Sequence, residues 1–263
     1  MLDTSYRPGA PARLDLATPD TRASADFYTA LFGWTHASDG PGSGDYGFFH
    51  LHGRTAAALG PLPTPDTPPG WTLHFATADA DRTADLVRRA GGLVRYGPYD
   101  VLTAGRTAGC TDPTGADFAL WQPHDTHGLD VVDEPGSLCW TECRSVDAER
   151  AGSFYRTVFD WQEHDVPFAG RTFTVLTPAG GGSDDAHGDL VQLGPEHTAH
   201  GTGSHWLPYF EVPSVDAALA IAENLGATVR VPVTDLPGMG RLAELLDRHG
   251  AAFAVITSEK PQG

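Results

Sequence analysis

The chain has 263 residues, with 17 Lys and Arg against 34 Asp and Glu, a formal net charge of −17. That excess repels phosphate backbones and anionic lipid, which argues against nucleic-acid and membrane partners, while 40% hydrophobic and 10% aromatic residues supply a buried core. Met1 to Leu14 lack an apolar signal core, no apolar run approaches the ~20 residues that span a bilayer, and Cys110, Cys139 and Cys143 form no paired framework, so the expectation is a soluble, unexported, cytoplasmic protein.

Arg13 to Ala17 reads as a strand, and Arg22 to Phe32 as a helix with Phe27, Leu31 and Phe32 on one face and Asp20 placed to cap it. Tyr46 to Leu51 and Thr55 to Leu59 read as strands about a turn at Gly53. After the Pro-rich stretch Pro61 to Pro69 the pattern restarts with strand Trp71 to Ala76 and helix Asp81 to Ala90. Three strands follow, near Leu93 to Tyr96, Gly105 to Thr111 and Ala116 to Trp121.

The second half repeats the first. Asp20, Phe27-Tyr28, Phe32 and Trp34 return 127 residues later as Asp147, Phe154-Tyr155, Phe159 and Trp161. Trp71, Asp112 and Gly115 return 135 residues later as Trp206, Asp247 and Gly250, the surplus falling in the Gly-rich insertion Pro178 to Gly188. Each half is two β-α-β-β-β units, four in all at roughly 10–62, 70–123, 136–196 and 204–258. The expectation is an α+β protein of two tandem domains, residues 1–125 and 136–263, joined by a linker at 126–135.

These residues resemble a known family. Ala25-Asp26-Phe27-Tyr28 followed by Leu31-Phe32-Gly33-Trp34, its copy Ser153-Phe154-Tyr155 with Phe159-Asp160-Trp161, the Asp112-Pro113-Thr114-Gly115 turn and Leu225-Gly226-Ala227 look like the vicinal oxygen chelate superfamily. That is the glyoxalase, bleomycin-resistance and extradiol-dioxygenase group. The resemblance covers essentially the whole chain and is nearest to a two-domain branch similar to the mycobacterial antigen type and to accessory proteins of Streptomyces antibiotic clusters. It implies glyoxalase-like domains, each a curved, mostly antiparallel sheet with helices outside. In the family's enzymes a divalent metal is held by His, Gln or Glu on the first strand of each unit and by Glu on the last.

Counting back seven residues from each helix cap finds Arg13, Thr72, Trp140 and Leu207 at the first-strand position, and counting seven on from the final-turn Asp finds Ala119 and Ala254. A cation needs three or four converging oxygen or nitrogen ligands, so neither a metal nor another cofactor is expected. His50-x-His52, read as one strand face, offers two ligands only. His124, His127, His197 and His200 read as loop residues, and no Gly-rich phosphate loop follows a strand.

Two positions past the empty ligand sites, with the same parity, stand Asp15, His74, Glu142 and Tyr209. A carboxylate and an imidazole facing one cavity can serve as base and acid, which makes Asp15 and His74 the candidate catalytic pair. The alternative is that Asp15 and Glu142 are structural hydrogen-bond acceptors, since the repeat places a carboxylate at both. Phe48, His50, Trp71, Trp121, Glu142 and Tyr209 are the candidate ligand-binding residues, and Trp140, Phe173 and Trp206 are further aromatics near the same strands. Three readings stay open: a protein that binds a hydrophobic, aromatic natural product for sequestration, resistance or delivery; a cofactor-free lyase, isomerase or cyclase using Asp15 and His74; and an interaction protein with vestigial pockets. Turnover, the ligand's identity and the oligomeric state are left open.

Overall fold

The computed structural model describes residues 2–38, 40, 44–168, 171–199 and 201–259; Met1 and His200 lie outside them. The first module runs β1 (Pro11–Thr18), α1 (Thr21–Phe32), β2 (Thr35–Ser38), β3 (Gly47–Leu51) and β4 (Arg54–Pro61). The second is β5 (Gly70–Ala76), α2 (Ala80–Arg89), β6 (Leu93–Val101), β7 (Gly105–Thr111) and β8 (Asp117–Pro123). The third is β9 (Leu138–Ser145), α3 (Ala148–Phe159), β10 (Gln162–Phe168), β11 (Arg171–Thr177) and β12 (Gly188–Gln192), followed by a short α4 (Pro195–Ala199). The fourth is β13 (His205–Glu211), α5 (Val215–Asn224), β14 (Thr228–Leu236), β15 (Gly240–Leu246) and β16 (Ala252–Ser258).

Local chemistry marks each module in the same way. Asp20, Asp79, Asp147 and Ser214 are N-caps whose side chains accept the amides of Ala23 (2.9 Å), Arg82 (2.9 Å), Arg150 (3.1 Å) and Ala217 (3.3 Å). After the helix the chain returns as an antiparallel meander, so each module's last strand lies parallel to its first: β1 with β4, β5 with β8, β9 with β12 and β13 with β16. The strands form two eight-stranded sheets, in the order β2-β3-β4-β1-β5-β8-β7-β6 and β10-β11-β12-β9-β13-β16-β15-β14. The fold is α+β, as expected. The expected strand pairs about Gly53 and the three strands after α2 are present, and β2, a short exposed edge strand paired from Thr35 to His50, is an addition. The insertion Pro178 to Gly188 carries one 3-10 turn at Ser183–Asp185.

Packing groups the residues into two compact units that interleave along the chain. One takes Met1–Arg13, Thr72–Gly128 and Trp140–Leu207, and so joins the second and third modules, the inner pair in chain order. The other takes Leu14–Trp71, Leu129–Cys139 and Pro208–Gly263, the outer pair in chain order. Of the segment read as a linker, residues 126–128 belong to the first of these units and 129–135 to the second: Leu129, Val131 and Val132 are buried, Asp130 donates its amide to the Thr55 carbonyl (2.7 Å), and its carboxylate accepts the Thr55 amide (3.0 Å).

Both units are built on the same buried polar chain. In the inner pair Asp112 Oδ1 accepts the amides of Thr114, Gly115 and Ala116, which closes the Asp-Pro-Thr-Gly turn. Its Oδ2 accepts from the Tyr155 hydroxyl (3.1 Å), and that hydroxyl accepts from the Trp206 indole (2.8 Å). In the outer pair Asp247, Tyr28 and Trp71 repeat this, with 3.1 Å from Tyr28 to Asp247 and 3.1 Å from Trp71 to Tyr28. Burial pushes both tyrosine hydroxyls well up, with the neighbouring carboxylate adding to the shift, so both remain donors. Around them lie Phe75, Phe118, Phe159 and Trp161 in one unit, and Phe32, Trp34, Phe49, Phe210 and Phe253 in the other.

Candidate functional site

On the first and last strands of each module, residues of one parity enter the helix-side core, and those of the other parity line the opposite face. In β9 this is visible as buried Cys139, Thr141 and Cys143 alternating with half-buried Trp140, Glu142 and Arg144. Of the candidate residues, Asp15, Phe48, His50 and Glu142 are half-buried, while His74, Trp71, Trp121 and Tyr209 are buried.

In the outer-pair unit Asp15 is half-buried and accepts a hydrogen bond from the Tyr46 hydroxyl at 3.1 Å. Tyr46 meets Phe48 edge-on, ring centroids 5.6 Å apart, and Phe48 lies 6.5 Å from His50. Asp15 and Phe48 both stand opposite Ala58, one on each side of β4. Asp15, Phe48 and His50 therefore share one face, with Tyr46 added. Tyr209 stands in register with Ala254 and is 5% exposed. Trp71 corrects the expectation for it: its indole lies in the helix-side core against Tyr28, with centroids 5.1 Å apart, because its parity is opposite to that of Thr72 and His74.

In the inner-pair unit His74 is 6% exposed and stands in register with Ala119. Trp121 is fully buried against Ala12 and Ala76, and the Arg13 guanidinium covers it at 4.2 Å from the ring centroid, which makes it the floor beneath Arg13 rather than an open stacking surface. His74 and Asp15 fall in different units, each with its own neighbours. Phe173 is half-buried on β11, and Trp206 belongs to the polar chain of the core.

The third module carries the densest chemistry. Glu142 on β9 stands in register with Asp189 on the parallel β12. The Trp140 indole donates to Asp189 Oδ1 at 2.8 Å, and Arg144 is hydrogen-bonded and ion-paired to Glu142. Asp189 is 3% exposed. Burial first, and the Glu142 charge second, push its carboxyl up from the carboxylate range, against the pull of Trp140 and Arg144. The arrangement sets a buried carboxyl biased toward its protonated form beside a second acidic side chain that is paired with Arg144. Glu142 was legible by parity, but Asp189 was missed, because the insertion before β12 breaks the count that finds equivalent positions in the other modules. Its signal is an Asp on the last strand facing an already identified carboxylate, which only the register reveals.

Residues 10–120 match the family model described as the Glyoxalase/Bleomycin resistance protein/Dioxygenase superfamily. Over 96% of its length the chain is 40% identical to the anthracycline biosynthesis protein DauV of Streptomyces sp. strain C5, of which it covers 94%. The chain belongs to this superfamily. It is also 36% identical to CFP32 of Mycobacterium tuberculosis, with 96% of each chain covered. Among solved structures it resembles the 2,3-dioxygenase LapB of Pseudomonas sp. KL28 with a TM-score of 0.64 and 12% identity, covering 97% of this chain and 96% of that one, a likeness of fold alone.

The superfamily's usual metal does not fit the residues present. Arg13 is a buried cation stacked on Trp121, Trp140 spends its only polar atom on Asp189, Leu207 is buried, and Ala119 and Ala254 offer methyl groups opposite His74 and Tyr209. Among the described residues no group of three or more His, Cys, Asp and Glu is placed to hold a metal ion. The pair His50 and His52 is corrected too. His52 lies past the end of β3 in the turn, exposed and with φ of 52°, so the two rings do not share a strand face. His124 and His127 are exposed loop residues, while His197 falls within α4 rather than a loop. No helix among the described residues is long and apolar enough to cross a membrane.

Proposed function

We propose that this superfamily member binds a flat, hydrophobic natural product without metal chemistry, in sequestration, resistance or delivery within secondary metabolism. The observation that carries the reading is the content of the family's ligand positions: Arg13, Thr72, Trp140 and Leu207 on first strands and Ala119, Ala254 and, by register, a single carboxyl at Asp189 on last strands, with Tyr46, Phe48 and His50 on the half-buried face of the outer-pair unit and Trp140 on that of the inner-pair unit. Such faces offer stacking and dispersion with a few polar anchors, which suits an aromatic ligand. The relative DauV, named for anthracycline biosynthesis, suggests polycyclic aromatic polyketides as the ligand class. The test is calorimetry and tryptophan quenching with 1,4-dihydroxyanthraquinone as probe, before and after dialysis against EDTA. Saturable binding unchanged by EDTA supports the reading; no saturation at millimolar probe, or binding that returns only with added metal, overturns it.

A second reading, a cofactor-free tailoring enzyme, draws support from Asp189 and Glu142. An acid and a base on adjacent strands can protonate a carbonyl oxygen and accept a carbon-bound proton with no oxidant or metal. It moves the chemistry from Asp15 and His74 to the third module. Loss of turnover in Glu142→Gln but not in His74→Ala, once a substrate is found, would favour it.

A further inference from the structure

One buried titratable group is used by neither reading. His187, just before β12, is 1% exposed, and neither of its ring nitrogens has a hydrogen-bond partner. Its ring lies 4.8 Å from Trp161 and 6.4 Å from Phe75, an apolar wall that offers no counter-charge. On its other side is a narrow recess lined by Leu2, Asp3, Arg7 and Ala10 from the N-terminal segment and by Pro178 and Asp185 from the insertion. All of these residues belong to the inner-pair unit.

The N-terminal segment covers this recess, with Leu2 buried and Tyr6 packed against the Ala12, Ala76 and Trp121 cluster. Gly9 donates to the Ala76 carbonyl and Ala76 to the Ala10 carbonyl, both at 2.8 Å, and the Trp161 indole donates to the Gly9 carbonyl at 2.9 Å. Arg7 pairs with Asp185 at 3.1 Å across the recess mouth, a half-exposed ion pair of the sort worth at most ~1 kcal/mol. A neutral imidazole tolerates the closed state at the cost of one unmet donor and one unmet acceptor, whereas an imidazolium would bury a charge and two unmet donors.

We propose that residues 2–10 form a pH-sensitive latch, closed over neutral His187 and released when His187 takes up a proton. The charged groups that face it are Asp3, Arg7 and Asp185. Once the latch lifts, water reaches the ring, and Asp185, parted from Arg7, favours the cation. In the closed state burial depresses the imidazole from its ordinary 6.5 to about 3. A neutral closed form and a titrating open form make the opening constant rise about 30-fold from about pH 7.5 to about pH 5. The inference is independent of what the sheet faces bind.

The test is hydrogen–deuterium exchange of peptides within residues 2–12 of the full chain at those two pH values, corrected for intrinsic exchange. Wild type should lose protection about 30-fold at the lower pH, and His187→Phe should lose no more than a few fold. Equal protection of wild type at both pH values overturns the latch, as does the same loss in His187→Phe. Should His187→Phe not fold, His187→Gln, which has no titration in this range, carries the same expectation. Arg7→Ala is the control: it lowers protection at both pH values and keeps the ratio between them.

Discussion

Asp189 and Glu142 show how much a single register pair decides. A carboxyl whose folded value is raised holds a proton that the unfolded chain has already released, so its contribution to stability is complete below the ordinary carboxylate range and is lost as pH rises toward the raised folded value. Asp189→Asn keeps the hydrogen bond to Trp140 and removes the titration. Urea unfolding at a series of pH values should therefore show the stability of wild type relative to the Asn variant falling between about pH 4 and about pH 8, the other titrating groups, His187 among them, being common to both proteins and cancelling in the difference. A variant that keeps the wild-type slope would mean that Asp189 is ionised throughout. At this scale strand parity singled out Asp15, His74, Glu142 and Tyr209, because alternation depends on the backbone alone. The same rule, applied strictly, would have excluded Trp71, whose odd parity relative to His74 sends it into the core.

At the scale of elements, the helix caps were legible and the polar chains beneath the helices were not. Asp and Ser before an apolar helical period advertise themselves. By contrast, Tyr28 and Tyr155 read as core aromatics, and nothing in the sequence shows that each hydroxyl joins an Asp turn to a Trp indole far along the chain. Tyr155→Phe leaves Asp112 and the Trp206 indole short of a partner, so it should cost about 1.5–3 kcal/mol, and Tyr28→Phe should cost the same by the repeat. Asp79→Ala, which removes only the cap of α2, should cost about 1 kcal/mol. Urea midpoints at constant slope check all three, and a Tyr→Phe cost no larger than the cap's would show that the polar chains are dispensable. The edge strand β2 escaped notice for a related reason: Thr35 to Ser38 is polar and exposed, and its identity comes from pairing with β3.

At the scale of the molecule, the fourfold repeat was legible because modules recur at fixed spacing, but the partnering of modules was not. The helices α1 and α3 carry the same Phe-Tyr signature, so apolar pattern alone cannot say that α1 packs with α5 and α2 with α3. The proposed binding can be tested at this scale too. Phe48→Ala should weaken probe binding by about 1–3 kcal/mol if the outer-pair face stacks the ligand, and Trp140→Ala should do so if the inner-pair face does, while Trp71→Phe should lower stability and leave affinity within a few fold. Calorimetry on the three variants separates the outcomes, and a Trp71 variant that loses binding alone would move the ligand into the helix-side core.

The interleaving of the two units also fixes an order of events on the ribosome. The inner pair is nested within the outer pair in the chain, so Thr72–Gly128 and Trp140–Leu207 are both synthesised before Pro208–Gly263. At ~5–20 residues per second the rest of the chain takes on the order of 10–40 s to follow the first module. For that interval α1 and the strands around it have no partner to bury Phe27, Tyr28 and Trp34, and they are the part of the nascent chain that a chaperone would hold. A message cut short after Leu207 would leave the inner core complete and the first module stranded, whereas no cut near the middle of the chain leaves either core whole.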